Sequence, residues 1–162
     1  YNIKMDDKIQ LLSKFKNALS KFVGTIIKKF PEEQEFILVK TFIDKHMPME
    51  ELMGRFICQI LIDRGNIERR YDGFFKKHDN MNGRDGCLGV NNDIYKRIKS
   101  IYLSEHVDDN DRESCWKWFD LFVKIVDQYY IKFGEVKGWE VDHTHKVFIE
   151  LDKKRSEYKR NL

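Results

Sequence analysis

DRESCWKWFDLFVKIVDQYYIKF, residues 111–133, decides the fold. Its apolar residues recur at three- and four-residue steps. Cys115, Trp118, Phe119, Phe122, Ile125, Val126, Tyr129 and Phe133 fall on one broad helical face. Trp116, Val123 and Tyr130 widen that face, and only a strip through Lys117, Asp120, Lys124, Asp127 and Gln128 stays polar. A helix apolar over most of its circumference belongs between neighbours. The stretch therefore predicts an all-α fold, a bundle of five to six helices built around residues 111–133. Just before it, Asn110 with Glu113 three residues later has the form of a capping box, with Asn in place of Ser or Thr.

Toward the N-terminus, residues Met5 to Phe30 read as a first helix. Leu12, Phe15, Leu19, Phe22, Val23, Ile26 and Phe30 share one face, and Lys14, Lys21 and Lys28 repeat every seventh residue on the other. Pro31 has no N–H to continue the ladder and ends it. A second helix is predicted over Glu32 to Lys45, with Pro31 in its first turn and an apolar stripe of Phe36, Val39 and Ile43. Pro48 opens a third, running to about Asp63 on Met49, Leu52, Met53, Phe56 and Ile60, with Gly65-Asn66 as its stop. A short segment, Ile67 to Phe75, leads into a polar loop over 78–92. A fourth helix follows from about Asp93 to Ser104, with Ile94, Tyr95, Ile98, Ile101 and Tyr102 facing in.

After Gly134 two readings compete. Trp139 and Val141, then Val147, Ile149 and Leu151, alternate as strands would, with a hairpin through Asp142 to His145. The same residues also fit a last helix starting at Asp142 and ending in a basic tail over 152–162. The helix is the reading adopted, because Val147 and Leu151 stand four apart and the tail is rich in helix formers. The whole chain, 1–162, reads as a single helical domain.

Composition narrows the function classes. A chain of 162 residues with 14% aromatic content can bury a core despite 35% charged residues, which argues against disorder. The net charge of +3 permits contact with nucleic acid or an anionic surface without arguing for either. Cys58, Cys87 and Cys115 are odd in number and form no CxxC pair, which favours free thiols in a reducing compartment. Cys58 and Cys115 fit helical patterns as small core residues. No stretch approaches the roughly 18 apolar residues of a membrane span. The chain opens at Tyr1 rather than at Met, which leaves room for residues before it.

Few residues carry candidate chemistry. His143-Thr144-His145 would point two imidazoles to one side of a strand, but a metal needs a further ligand, from Asp142 or a distant His; the plainer reading is a polar turn. The loop Asp79 to Gly86 has calcium-loop composition. With Gly83 at the turn, His78, Asn80 and Asn82 take the first ligand positions, and Gly89 stands where the bidentate Glu belongs. Cys87 as a nucleophile needs a base, and His78 is its nearest His in sequence. None of these is adopted: no catalytic, cofactor or metal residue is expected. Phosphate contact is open to Lys14, Lys21 and Lys28 and to Lys153, Lys154 and Arg155 in the tail. Trp116, Val123 and Tyr130 are expected to meet the tail or a partner chain, and Phe74 and Phe75 to anchor the Ile67 segment or bind a partner.

Ile67-Glu68-Arg69-Arg70-Tyr71-Asp72-Gly73-Phe74-Phe75, a polar loop, an aliphatic helix, and then Asn110 to Leu121 with its Trp116 and Trp118 follow one another in a characteristic order. This order, over about residues 10–133, resembles uncharacterised small α-helical proteins of large nucleocytoplasmic DNA viruses of algae and protists. The interval from Ile67 to Asp72 is one residue longer than in those proteins, and Gly73 replaces a polar residue. The resemblance implies no reaction and no cofactor. It implies a virus-encoded protein found in the virion or the host-cell cytoplasm. The expected function is that of a non-enzymatic structural or interaction protein, a minor virion or capsid component whose partners are other protein subunits. The alternative is a nucleic-acid-binding accessory protein using the basic first helix or the tail.

Overall fold

A computed structural model of the chain describes residues 3–71 and 100–162. Its helices are α1 (Ile3–Lys29), α2 (Gln34–Lys45), α3 (Met49–Gln59), α4 (Arg64–Glu68), α5 (Asp109–Phe133) and α6 (Lys146–Arg160), with a 3-10 turn at Leu61–Asp63 before α4. Residues 100–102 are also helical. The fold is an all-α bundle, as residues 111–133 predict. Among the described residues there is no strand, only a single bridge between Val136 and Trp139.

The wide apolar face of α5 is used as expected. α1, α3, α4 and α6 all pack on it, and α2 packs on α1. Lys29 pairs with Asp111, and Asp7 lies 3.7 Å from Lys132, so α1 and α5 run antiparallel. At the centre the Phe122 ring meets Phe15 and Phe22 of α1 at 6.3 and 5.5 Å and Phe56 of α3 at 6.0 Å, all nearly edge-on. Edge-to-face rings place the positive edge of one on the negative face of the next, and add to the area they bury.

The polar strip of α5 is more specific than its sequence suggests. Arg70 reaches both oxygens of Asp120, at 2.9 and 2.8 Å, and Glu113 at 2.9 Å, while Arg64 pairs with Asp127. These acids follow at seven-residue steps, so they form one line along the helix. Burial raises the Asp127 carboxyl against the pull of Arg64, and its Oδ1 is buried without a hydrogen-bond partner. α4 is thus tied to α5 by charge as well as by the buried Ile67.

Several boundaries differ from expectation. Gly65-Asn66 does not stop α3. The chain tightens into the 3-10 turn, and Gly65 and Asn66 lie inside α4. The stop is Arg70, in left-handed conformation (φ 55°), with Tyr71 N–H donating to Asn66 O and Arg70 N–H to Ile67 O. A glycine would suit that backbone, but the guanidinium network on α5 holds an arginine there. Pro31 lies in a turn and α2 begins at Gln34, not Glu32. The cap of α5 is Asp108 with Asp111, not Asn110 with Glu113: Asp108 accepts from Asp111 N–H at 2.8 Å and Asp111 reaches back to Asp108 N–H at 3.2 Å. The hairpin alternative is overturned, and the last helix starts at Lys146 rather than Asp142. Asp142 to His145 forms its lead-in turn, and His145 Nδ1 accepts from Val147 N–H. Residues expected as a tail belong to α6 as far as Arg160.

Between α5 and α6 the chain makes an arm. Gly134 ends α5 at φ 78°, and Trp139 then lies across α3 directly on Gly54. Arg55 stacks on the indole at 4.9 Å, and the Cys58 thiol donates to the Trp139 carbonyl at 3.2 Å. Cys58 is therefore a fastening point for the arm rather than only a small core residue.

Candidate functional site

Between α1 and α5 lies an open groove of about 580 Å³. α1 contributes Lys14, Ala18 and Lys21, with Asn17 between the lysines and Ser13 just before them, and α5 contributes Trp118, Leu121 and Ile125. The geometry follows from helical spacing. Positions 14, 18 and 21 stack along one edge of α1, and 118, 121 and 125 along one edge of α5. Lys14 and Lys21 are exposed, and Trp118 and Leu121 are half-buried. Lys117 and Lys124, also exposed, lie on the adjoining face of α5. The groove thus has an apolar floor, two lysines about two turns apart on one wall, and further positive charge beyond the other wall.

The remaining candidates are placed as follows. Lys28 is exposed on α1, and Lys153 and Lys154 on α6, where Lys154 lies 3.4 Å from Glu150. Arg155 does a different job: it is half-buried beside Gly134 and donates to the Ile131 carbonyl at 3.1 Å, so it closes the end of α5. α6 packs on α5 at Tyr130 and α1 packs on it at Phe122. Trp116 and Tyr130 are buried within the chain, each 1% exposed. Trp116 Nε1 donates to the Tyr102 hydroxyl at 2.8 Å, and Tyr130 packs on Phe148. Of the two neighbours expected for this face, the tail covers Tyr130, so neither ring is open to a partner. Val123 is half-buried. Phe74, Phe75, His78, Cys87 and the loop Asp79 to Gly86 lie outside the described residues.

A second cluster gathers around His143. Its Nδ1 lies 2.7 Å from Asp152 and its Nε2 3.4 Å from Glu135. The other Asp152 oxygen accepts from the Tyr130 hydroxyl at 2.5 Å, and Glu135 also accepts from Val141 N–H at 3.0 Å. The Asp152 carboxylate raises the imidazole pKa above its ordinary value, with Glu135 adding to it. Burial, with Asp152 beside it, raises the Tyr130 phenol above its own range. Both nitrogens of His143 face carboxylates, which makes it a clasp between the arm and α6. His143 and His145 therefore part company: one is clasped, the other caps a helix. Among the described residues no group of His, Cys, Asp and Glu is placed to hold a metal ion. No helix among them is long and apolar enough to cross a membrane.

Sequence reading missed Trp118 as a surface residue, because its spacing matches Phe122 and Val126 of the core. The available signal is its place at the edge of the apolar face, one position after Lys117. The partners of His143 give no local signal, since Glu135 and Asp152 lie on either side of an arm whose path depends on Trp139. Comparison with protein-family models, with curated proteins and with solved structures finds no match for this chain.

Proposed function

We propose that the chain is a non-enzymatic interaction protein that receives an acidic amphipathic helix of a protein partner in the groove between α1 and α5. The observation that carries this is the pairing of Lys14 and Lys21 with the apolar floor of Trp118, Leu121 and Ile125. An apolar floor rewards an apolar helix face, and a lysine wall selects one flanked by Asp or Glu. A partially covered Trp is also the residue type that most often dominates binding energy. Nucleic acid is the second reading: lysines can track phosphates, and the open part of the Trp118 indole can stack a base. It gives no role to the half-buried Leu121.

Anisotropy titrations with a labelled acidic Leu/Glu helical peptide and with a labelled single-stranded oligonucleotide separate the two. The peptide is expected to bind, and Lys14→Glu with Lys21→Glu to weaken it by about tenfold or more at unchanged melting temperature. Peptide binding indifferent to the double substitution sinks the reading. Oligonucleotide binding that falls steeply with salt, without peptide binding, transfers the groove to nucleic acid. The minor-virion setting is a separate proposal, motivated by the resemblance in residues 67–75 and 110–121. Mass spectrometry of purified particles tests it, and absence from them removes it.

A further inference from the structure

We propose that a second cavity, between the C-terminal half of α1, the N-terminal half of α5 and residues 101–107, is a binding site for a neutral, mainly apolar small molecule. The cavity measures about 400 Å³, within the range of about 300–1,000 Å³ that small-molecule pockets occupy. Its walls are Phe22, Ile26, Ile101, Tyr102, Cys115 and Trp118. Three of those six are aromatic, which suits a planar or ring-containing guest by offset and edge-on contact. The polar lining residues Thr25, Lys29 and Ser114 are exposed and mark the mouth.

The charge of that mouth defines the guest. Lys29 is paired with Asp111, and Asp111 is fixed because its carboxylate also closes the cap of α5 on Asp108 N–H. An anionic head would meet Asp111, a cationic one Lys29, and neither charge can swing away without breaking the pair. A neutral molecule meets no such penalty, and the Ser114 hydroxyl can take a hydrogen bond from one polar group at its outer end. The interior is a poor medium for charge: burial pushes the Cys115 thiol up to about 12. This site is separate from the groove of the proposed function, although Trp118 stands in the wall of both.

The test uses the full chain and N-phenyl-1-naphthylamine, a neutral apolar fluorophore. Its emission is expected to rise to a saturable one-to-one end point. At saturation, maleimide labelling mapped to Cys115 should slow by about tenfold or more. Ile26→Phe and Cys115→Met, which fill the cavity, should each weaken the probe at least several-fold while the circular dichroism spectrum is kept. Lys14→Glu with Lys21→Glu should leave probe binding unchanged, which separates this site from the groove. The anionic analogue 8-anilinonaphthalene-1-sulfonate should bind more weakly. Unsaturable binding, or Cys115 labelling indifferent to the probe, overturns the proposal, and the labelling readout on the unsubstituted chain stands even if a filled variant fails to fold.

Discussion

At the scale of single residues, Gly54 and Trp139 have the most exacting relationship. A Cβ on Gly54 would lie 2.8 Å from the Trp139 ring and 2.9 Å from its own Cβ, too near the stem of the side chain for a simple swing to relieve. A helical glycine normally gives up roughly 0.5–1 kcal/mol relative to alanine. Gly54→Ala should therefore destabilise the protein as it stands, yet stabilise it in a Trp139→Gly background, where the Cβ that crowds it is gone too. Denaturant melts of the four proteins in that cycle check the reversal of sign. Additive effects would mean that the indole does not rest on Gly54. His143 supplies a pH-dependent counterpart. Its folded pKa is raised, so its stabilisation is fully present below the unfolded value of about 6.5 and is lost as pH rises through the folded one. The melting temperature should decline gently from pH 6 to pH 8.5, and less so in His143→Gln. The effect is small because 54% of the side chain is exposed. Neither relationship was legible beforehand. Trp139 and Val141 alternate as strand residues do, but among the described residues there is no second strand for them to pair with. What holds the arm is a bare spot on α3, far away along the chain.

Among elements, α5 was the most legible, because eight apolar residues at helical spacing, most of them large, leave few alternatives. Its ends were not. The cap expected at Asn110 with Glu113 forms instead two residues earlier, at Asp108 with Asp111, which has the same three-residue spacing. Asp108→Ala should accordingly cost about 1 kcal/mol, while Asn110→Ala should fall within about 0.5 kcal/mol of the parent. Comparable losses from the two would reinstate the cap at Asn110. The end of α4 is obscure for a related reason. Gly65-Asn66 is a familiar stop signal, and Arg70 is not. The arginine occupies the left-handed position because Asp120 and Glu113, on a different helix, hold its side chain. Here tertiary charge overrides local preference, which no window of neighbouring residues can reveal. The lysine side of the groove was legible as a seven-residue stripe, whereas its floor was not, since Trp118 carries the same periodicity as the core.

For the molecule as a whole, stability should centre on Phe122, whose ring touches Phe15, Phe22 and Phe56 from two other helices. Phe122→Ala is expected to cost about 3–5 kcal/mol, measured as a lower denaturant midpoint with the helical spectrum retained before the transition. A loss under about 1 kcal/mol would place the centre of the core elsewhere. The position of that ring in the chain has a bearing on biosynthesis. α1, α2 and α3 leave the ribosome long before residue 122 does. Until then Phe15, Phe22 and Phe56 lack the side chain that closes over them. The nascent protein therefore carries an unsealed aromatic surface through most of its synthesis, and its last third acts as the lid. Translation that stalls or terminates before α5 is complete yields a sticky, chaperone-dependent fragment instead of a smaller folded domain.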